Sequence, residues 1–275
     1  MNSNYTLPFY LKKTNTRGRL TKLDTQLNEL ITNHDYPEVV NEYLSKLIAI
    51  CESVAGLLEY EGSFTMQMQS EGPLNSMMVD IDAKGNFRAY AKYDLKIKED
   101  KFENLTKNGY LAFTADKNKK KYQGIVEIKQ KSFEKTIEHY FSQSEQIETA
   151  IKASSKKTKD GWKASCLIIQ QLPEEQESGF DEANIFFQTL TKSELLSEKI
   201  SSEELLYKLF NELTVAVFDK KELKFKCRCS KAKILSFLKT LSETELDNLI
   251  KNGKISTKCE FCQTSYNFSK KDILK

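Results

Sequence analysis

Histidine is nearly absent from this chain. His34 and His139 are the only two, and no nucleophile pairs with either in a recognisable pattern, so neither a hydrolytic triad nor a zinc-protease helix is expected. There is no glycine loop of the kind that cradles phosphate, which removes the common nucleotide-binding classes. No apolar run approaches the roughly 18 to 20 residues that a membrane-crossing helix needs. Met1 to Asn15 has no continuous apolar segment and no small-residue cleavage site, so no secretory leader is expected. Net charge is small, +3, and by itself points to no partner. These absences describe a soluble, cytosolic protein with no catalytic residues, in a compartment that keeps thiols reduced and available for metal.

What is present stands near the end of the chain. Cys227 and Cys229 form a CxC pair, and Cys259 and Cys262 form a CxxC pair 29 residues further on. Two short-spaced pairs on separate segments can each supply two corners of a tetrahedron, and zinc prefers such a set of thiolates. Free cysteines are also common core residues, and that is the reading for Cys51 and Cys166, which sit in apolar runs.

Charge divides the chain more clearly than its total. Residues 219–275 carry fourteen Lys and Arg against seven Asp and Glu, a net +7, whereas residues 181–218 carry three against seven, a net −4. A neutral body, an acidic connector and a basic tail follow. The expected division is an α+β core domain at 1–178, a helical linker at 179–218 and a small zinc-binding domain at 219–275.

Along the body, the basic cluster Lys12, Lys13, Arg17 and Arg19 reads as a solvated face. Asp35, Pro37 and Glu38 then start an amphipathic helix that runs on through Leu58. Alternation at Phe64, Met66 and Met68, and the runs Met77–Asp82 and Phe87–Tyr93 around a Gly85–Asn86 turn, predict strands. Leu111–Thr114 and Tyr122–Ile128 predict a second hairpin around a polar loop, Ser132 a helix, and Glu148–Ala153 and Lys163–Gln170 two further strands. The body ends at Pro173. With no βαβ repeat, the sheet should be mainly antiparallel.

The connector has helix starts at Thr191 with Glu194 and at Ser201 with Glu204. Its apolar residues are dense: Ile185, Phe186, Phe187 and Leu190, then Leu205, Leu206, Leu209 and Phe210. Helices this short depend on neighbours for their order. In the tail, Ser230 and Ser242 with Glu245 start two helices, the second ending at Asn252 and Gly253, before a hairpin with the CEFC knuckle at its turn. So few large apolar residues build little core, so metal has to supply stability. Thiolates beside Lys226, Arg228 and Lys258 are the form that oxidants attack. Oxidation within the pairs would eject zinc, loosen the connector and expose its eight apolar residues, which are therefore the expected client-contacting set.

The tail from Lys224 to Ile273 resembles the redox-switch domain of the 33 kDa heat-shock chaperone family, the redox-regulated holdases of bacteria. The body is similar to the same family in RGRL at 17–20, EGPL at 71–74, YQGIVEI at 122–128, HYFSQSEQIET at 139–149 and IIQQLP at 168–173. Where that family usually has small glycines before the last segment, this chain has Lys163, Ala164, Ser165 and Cys166, which puts the local backbone there in question. The resemblance implies one zinc held by the four cysteines in an inactive reduced form. It also implies disulfides Cys227–Cys229 and Cys259–Cys262 on oxidation, a linker that then unfolds, a homodimer, ATP-independent binding of unfolding proteins, and a cytoplasmic, bacterial setting.

Two other readings compete. The +7 tail fits a zinc-ribbon nucleic-acid binder, although Phe261, Tyr266 and Phe268, its only aromatic platform, are needed by the hairpin. A thiol oxidoreductase would place Cys259 and Cys262 after the strand of a βαβ unit, and here they follow a hairpin arm.

Overall fold

The computed structural model describes residues 3–58, 60–98, 101–117, 120–172, 179–250, 254–269 and 272. The chain opens with a hairpin, β1 (Tyr5–Leu11) and β2 (Thr16–Leu23), followed by α1 (Thr25–Thr32) and the long α2 (Glu38–Ala55). Next come β3 (Ser63–Gln69), β4 (Ser76–Asp82), β5 (Asn86–Lys92), the single turn α3 (Phe102–Leu105), and the hairpin β6 (Tyr110–Lys117) and β7 (Lys120–Glu127). Helix α4 (Phe133–Tyr140) runs into a π-helical turn, Phe141–Glu145, and β8 (Thr149–Thr158) and β9 (Gly161–Gln171) close the body. Three helices follow, α5 (Phe180–Thr189), α6 (Lys192–Leu195) and α7 (Ser202–Leu209), then three short strands, β10 (Val215–Val217), β11 (Lys221–Glu222) and β12 (Lys224–Phe225). The tail consists of α8 (Lys231–Leu238), α9 (Glu243–Leu249) and the hairpin β13 (Lys254–Lys258) and β14 (Ser265–Ser269).

The strands form two large sheets and one hairpin. The first has the order β10-β1-β2-β9-β8, with β11 also pairing with β1; the second has the order β12-β5-β4-β3-β6-β7. Among the described residues only β12 and β5 pair in parallel, so the mixed, mainly antiparallel α+β class holds. Period-two alternation explains how the sheets are buried. On the first sheet Leu7, Leu20 and Leu167 stand in register on one face, while Thr6, Thr21 and Cys166 stand in register on the other. Helix α2 packs against β2, β8 and β9 of the first sheet and β3, β4 and β5 of the second. Its apolar residues, with Phe64, Met66, Ile81, Phe87, Cys166 and Ile168, make the larger core. The opposite face of the first sheet, carrying Leu7, Phe9, Leu11, Leu20, Leu167 and Ile169, is covered by α5 to α7.

Several local expectations shift. Pro37 stands at the N-cap of α2 and Asp35 makes no cap there. Arg17 and Arg19 belong to β2 and are half buried: Arg17 donates from Nε and Nη2 to Gln170 Oε1 at 3.1 and 2.5 Å, so this pair is not a solvated face. The local pattern showed charge but not that β2 runs through the middle of a sheet. Strands β8 and β9 extend further toward their shared turn than the apolar runs do. The glycine-poor segment Lys163–Cys166 forms regular β9, and Ser165 Oγ donates to Thr21 O at 2.8 Å. Pro173, the acidic run at 174–178, and Asn252 and Gly253 lie outside the described residues. The short strands after α7 were not foreseen: residues 215–217 and 221–222 pair with β1, and 224–225 with β5. The stretch containing the expected 218/219 boundary is thus woven into the body.

One buried carboxyl makes the body sensitive to pH. Glu52 on α2 is 3 % exposed, its Oε1 has no hydrogen-bond partner, and desolvation raises its pKa to about 8, partly offset by Lys221. A raised carboxyl pKa means that the folded state keeps a proton the unfolded state releases. Stability is then full below about pH 4.5 and falls as pH rises toward 8, by up to about 1.4 kcal/mol per unit. Urea unfolding of Glu52→Gln across pH 5 to 8 should show that slope much reduced, with the variant more stable than the wild type at pH 8.

Candidate metal centre

Both cysteine pairs are placed by backbone, not by a deep core. Strand β12 pairs with β5, and the Lys226 N–H donates to Phe87 O at 2.9 Å, which fixes the chain just before Cys227. Ser230, just after Cys229, caps α8 by accepting from the Lys233 N–H at 3.2 Å. The second pair sits in the turn of β13 and β14. The Cys259 N–H donates to Thr264 O at 3.0 Å and the Gln263 N–H to Cys259 O at 2.8 Å, with Gln263 at φ 57°. The tail's core is small, as expected: Leu238, Leu246, Ile255 and Phe268 are its buried apolar side chains.

The four sulfurs converge. All lie within 4.8 Å of one another, with Cys227 and Cys259 Sγ 3.6 Å apart and Cys229 and Cys262 Sγ 3.5 Å apart. Sulfurs held at about 2.3 Å from a zinc ion have tetrahedral edges of about 3.8 Å. All six cysteines are free thiols, and each sulfur of the CxC pair contacts one sulfur of the CxxC pair. The donor set therefore fits a metal ion that prefers four thiolates.

Without a cation, the environment pushes the thiols of this group in opposite directions. Burial pushes the Cys227 thiol up to about 12 and raises that of Cys259 as well. At Cys262 burial is outweighed by hydrogen bonding at Thr264, whose Oγ1 lies 3.2 Å away, and the thiol falls to about 7. Tyr266 Oη lies 3.1 Å from Cys229 Sγ, where its hydroxyl can donate to a thiolate.

The residues bracketed by the cysteines face the body. Arg228, inside the CxC pair, forms an ion pair with Asp80 Oδ1, and the other oxygen of Asp80 accepts from Arg88 Nε and Nη2 at 3.0 and 2.7 Å. Asp80 is on the outer face of β4, directly opposite Arg88 on β5, yet only 4 % exposed. Phe261, inside the CxxC pair, packs under the Arg88 guanidinium, 4.1 Å from ring centroid to Cζ, and edge-on to Tyr90 at 5.0 Å. Glu260 beside it takes a 2.9 Å contact from His34 Nε2 at its carbonyl and pairs with Lys92 Nζ at 3.4 Å. Sequence reasoning missed Asp80, Arg88 and Tyr90, although the β4–β5 turn sets the Asp80–Arg88 register. Phe261 is engaged by Arg88, Phe268 is buried and Tyr266 stands against Cys229, so all three hairpin aromatics are occupied, whereas Phe237 on α8 is 62 % exposed.

The eight connector residues are placed unevenly. Phe187, Leu190, Leu205, Leu206 and Phe210 are buried against the first sheet, and Phe186 and Leu209 are partly buried there. Ile185 is 68 % exposed. Phe210 stacks on Phe9 with centroids 5.8 Å apart. Both foreseen helix starts cap as expected, Thr191 as a full capping box and Ser201 by accepting from the Glu204 N–H. Lysines of the body hold the helices from below. Lys152 Nζ donates to the carbonyls of Phe187, Gln188 and Leu190 at 3.1, 3.0 and 2.7 Å, satisfying the end of α5, and Lys22 Nζ donates to Leu195 O. Cys51 and Cys166 are fully buried core thiols. Burial raises both, that of Cys166 to about 12.

These features define a class: a two-sheet α+β body whose first sheet is covered by a chain of short helices, followed by a small module with four convergent cysteines docked on the second sheet. A family model described as Hsp33 protein matches residues 4–269. The chain belongs to the Hsp33 family. A protein of Nitrosococcus oceani named 33 kDa chaperonin is 32 % identical over 269 residues, covering 96 % of this chain and 91 % of its own. Another of that name, from Vibrio vulnificus, is 29 % identical, covering 100 % and 96 %. A crystal structure of the 33 kDa chaperonin of Thermotoga maritima superposes with a TM-score of 0.86 at 19 % identity, over 99 % of this chain and 97 % of that one. That likeness concerns the fold.

Cys229→Ser removes one donor from the cluster. The affinity of the intact protein for a thiolate-preferring metal should fall by at least the roughly 10- to 100-fold that loss of a mere supporting contact costs. Cobalt titration followed by its thiolate absorption measures this, and unchanged affinity would take Cys229 out of the ligand set.

Proposed function

We propose that this chaperone-family protein is a redox-regulated holdase that binds unfolding proteins without ATP, and that the ion held by Cys227, Cys229, Cys259 and Cys262 is zinc. The observation that carries the reading is the placement of four convergent thiols directly beyond short helices whose apolar residues cover a face of the first sheet. Zinc, when bound, would offset half of the thiolates' charge and tie the two cysteine segments together. The functional segments are the body at 1–178, the metastable linker at 179–218 and the switch module at 219–275.

Chemistry at the sulfurs then does the rest. A thiolate attacks peroxide, giving a sulfenic acid and hydroxide, and a neighbouring thiolate displaces a second hydroxide from that sulfur to close a disulfide, both hydroxides being protonated by solvent. Two closures, within the CxC and within the CxxC pair, consume two peroxides and leave no thiolate donor. Oxidation would leave a module with four buried apolar side chains among its described residues, too few to stay folded. The strands that lead from α7 into it lose their anchor, and the α5 to α7 helices, at most ten residues long, cannot stand alone in water. Phe187, Leu190, Leu205, Leu206, Leu209 and Phe210, with Phe186 and the exposed Ile185, become the client-contacting surface, together with the sheet face they leave. The active form is a homodimer, and the setting is the bacterial cytoplasm.

Zinc-loaded protein treated with peroxide at raised temperature should release about one zinc and lose four thiols. It should then suppress aggregation of a thermally unfolding client. Zinc release with aggregation unchanged rejects the switch. Peptide mapping of the oxidised protein should find Cys227 joined to Cys229 and Cys259 to Cys262. Because each CxC sulfur also contacts a CxxC sulfur, crossed disulfides are the outcome that would overturn this pairing.

A further inference from the structure

Each residue that a cysteine pair brackets points away from the metal cluster and into the body. Arg228 reaches Asp80, Phe261 lies between Arg88 and Tyr90, and Glu260 meets His34 and Lys92. The sulfurs and the docking groups therefore sit on opposite sides of the same two short loops. Asp80 is the shared element on the body side. One of its oxygens accepts from Arg88 of its own sheet; the other makes no hydrogen bond and is ion-paired with Arg228 of the module, and the carboxylate is buried. It would not be buried by its own strand pairing, since it stands on the outer face of β4; the module covers it.

We propose that the outer face of β4 and β5 is a receptor for the metal module, and that Asp80 is a positioning residue which, through Arg228, slows loss of the metal from the four cysteines. The proposal rests on zinc occupying the tetrathiolate site. Its physical content is coupling. The two ligand loops are held to one rigid surface, so opening of the cluster requires either undocking Phe261 and Arg228 or straining the loops against the sheet. The charges agree with this. One carboxylate between two guanidinium groups leaves a net positive charge next to a site that four thiolates on a divalent ion make negative. Removing the carboxylate sets Arg88 and Arg228 against each other in a covered place, and the module should lift.

The test uses the intact, zinc-loaded chain and the rate of zinc transfer to a colorimetric chelator, without oxidant. Asp80→Asn should release zinc about tenfold faster or more, in the range that loss of a supporting contact costs a metal site, with about one zinc still bound at the start. Asp80→Glu should restore most of the slow rate. Arg228→Gln should act like Asp80→Asn, and the double variant should release no faster than the worse single one. Phe261→Leu, which touches no body residue's own folding, should also speed release. Amide exchange at residues 224–228 and 86–90 should rise in step, because the Lys226 to Phe87 hydrogen bond reports the dock. Wild-type release rates in Asp80→Asn and Phe261→Leu, or effects of Asp80→Asn and Arg228→Gln that multiply, overturn the proposal. A chain that binds no zinc overturns the tetrathiolate reading instead, and exchange at 224–228 in Asp80→Asn then still decides whether Asp80 holds the module.

Discussion

The first sheet has apolar side chains on both faces, and both must be covered. Helix α2 satisfies one side permanently, because it is also the core of the second sheet's inner face. The other side is covered by α5, α6 and α7, which contribute Phe187, Leu190, Leu195, Leu206 and Phe210 but have little helical stability of their own. Leu7, Phe9, Leu11, Leu20, Leu167 and Ile169 thus depend on a cover that is itself held from outside. Lysine donors beneath it and the short strands after it do the holding: Lys152 at the end of α5, Lys22 at α6, and β10 and β11 beside β1.

The four-cysteine module completes this chain of dependence from the far end. Among the described residues its core has four buried apolar side chains, so four sulfurs and a docking surface have to make up the difference. The cysteine loops present Arg228, Glu260 and Phe261 to β4, β5 and His34 in the loop before α2. Between the module and the linker run β10, β11 and β12, each paired with the body. In the proposed switch, a disturbance at the sulfurs reaches the linker along this backbone, through a few hydrogen-bonded residues and a buried carboxylate.

Much of this could be read from local pattern. The alternation of Phe64, Met66 and Met68, the turn at Gly85 and Asn86, the caps at Ser132, Thr191, Ser201, Ser230 and Ser242, and the cysteine spacing all express short-range chemistry, and all reappear in the structure. Other features could not be read that way. The π-helical turn at Phe141–Glu145 falls in the HYFSQSEQIET stretch, where nothing in the periodicity marks a change of helix type. Strands of two or three residues, such as β11 and β12, carry no periodicity at all. Arg17 and Arg19 looked solvated because charge is a local property, whereas their burial comes from β9 on one side and α2 across the sheet.

The sequence by itself determined that four thiols would meet, that they would cap a module poor in core, and that dense apolar residues would precede it, since spacing and composition act over a few residues. Tertiary structure alone decided what lies opposite those elements. It placed the linker's apolar residues on the face built by β1, β2 and β9, and it turned Asp80, an ordinary outward strand residue, into the buried partner of Arg228. The pairings with β1, with β2 and between Asp80 and Arg228 join residues more than a hundred positions apart, and only the closed geometry of two sheets around α2 brings them within reach.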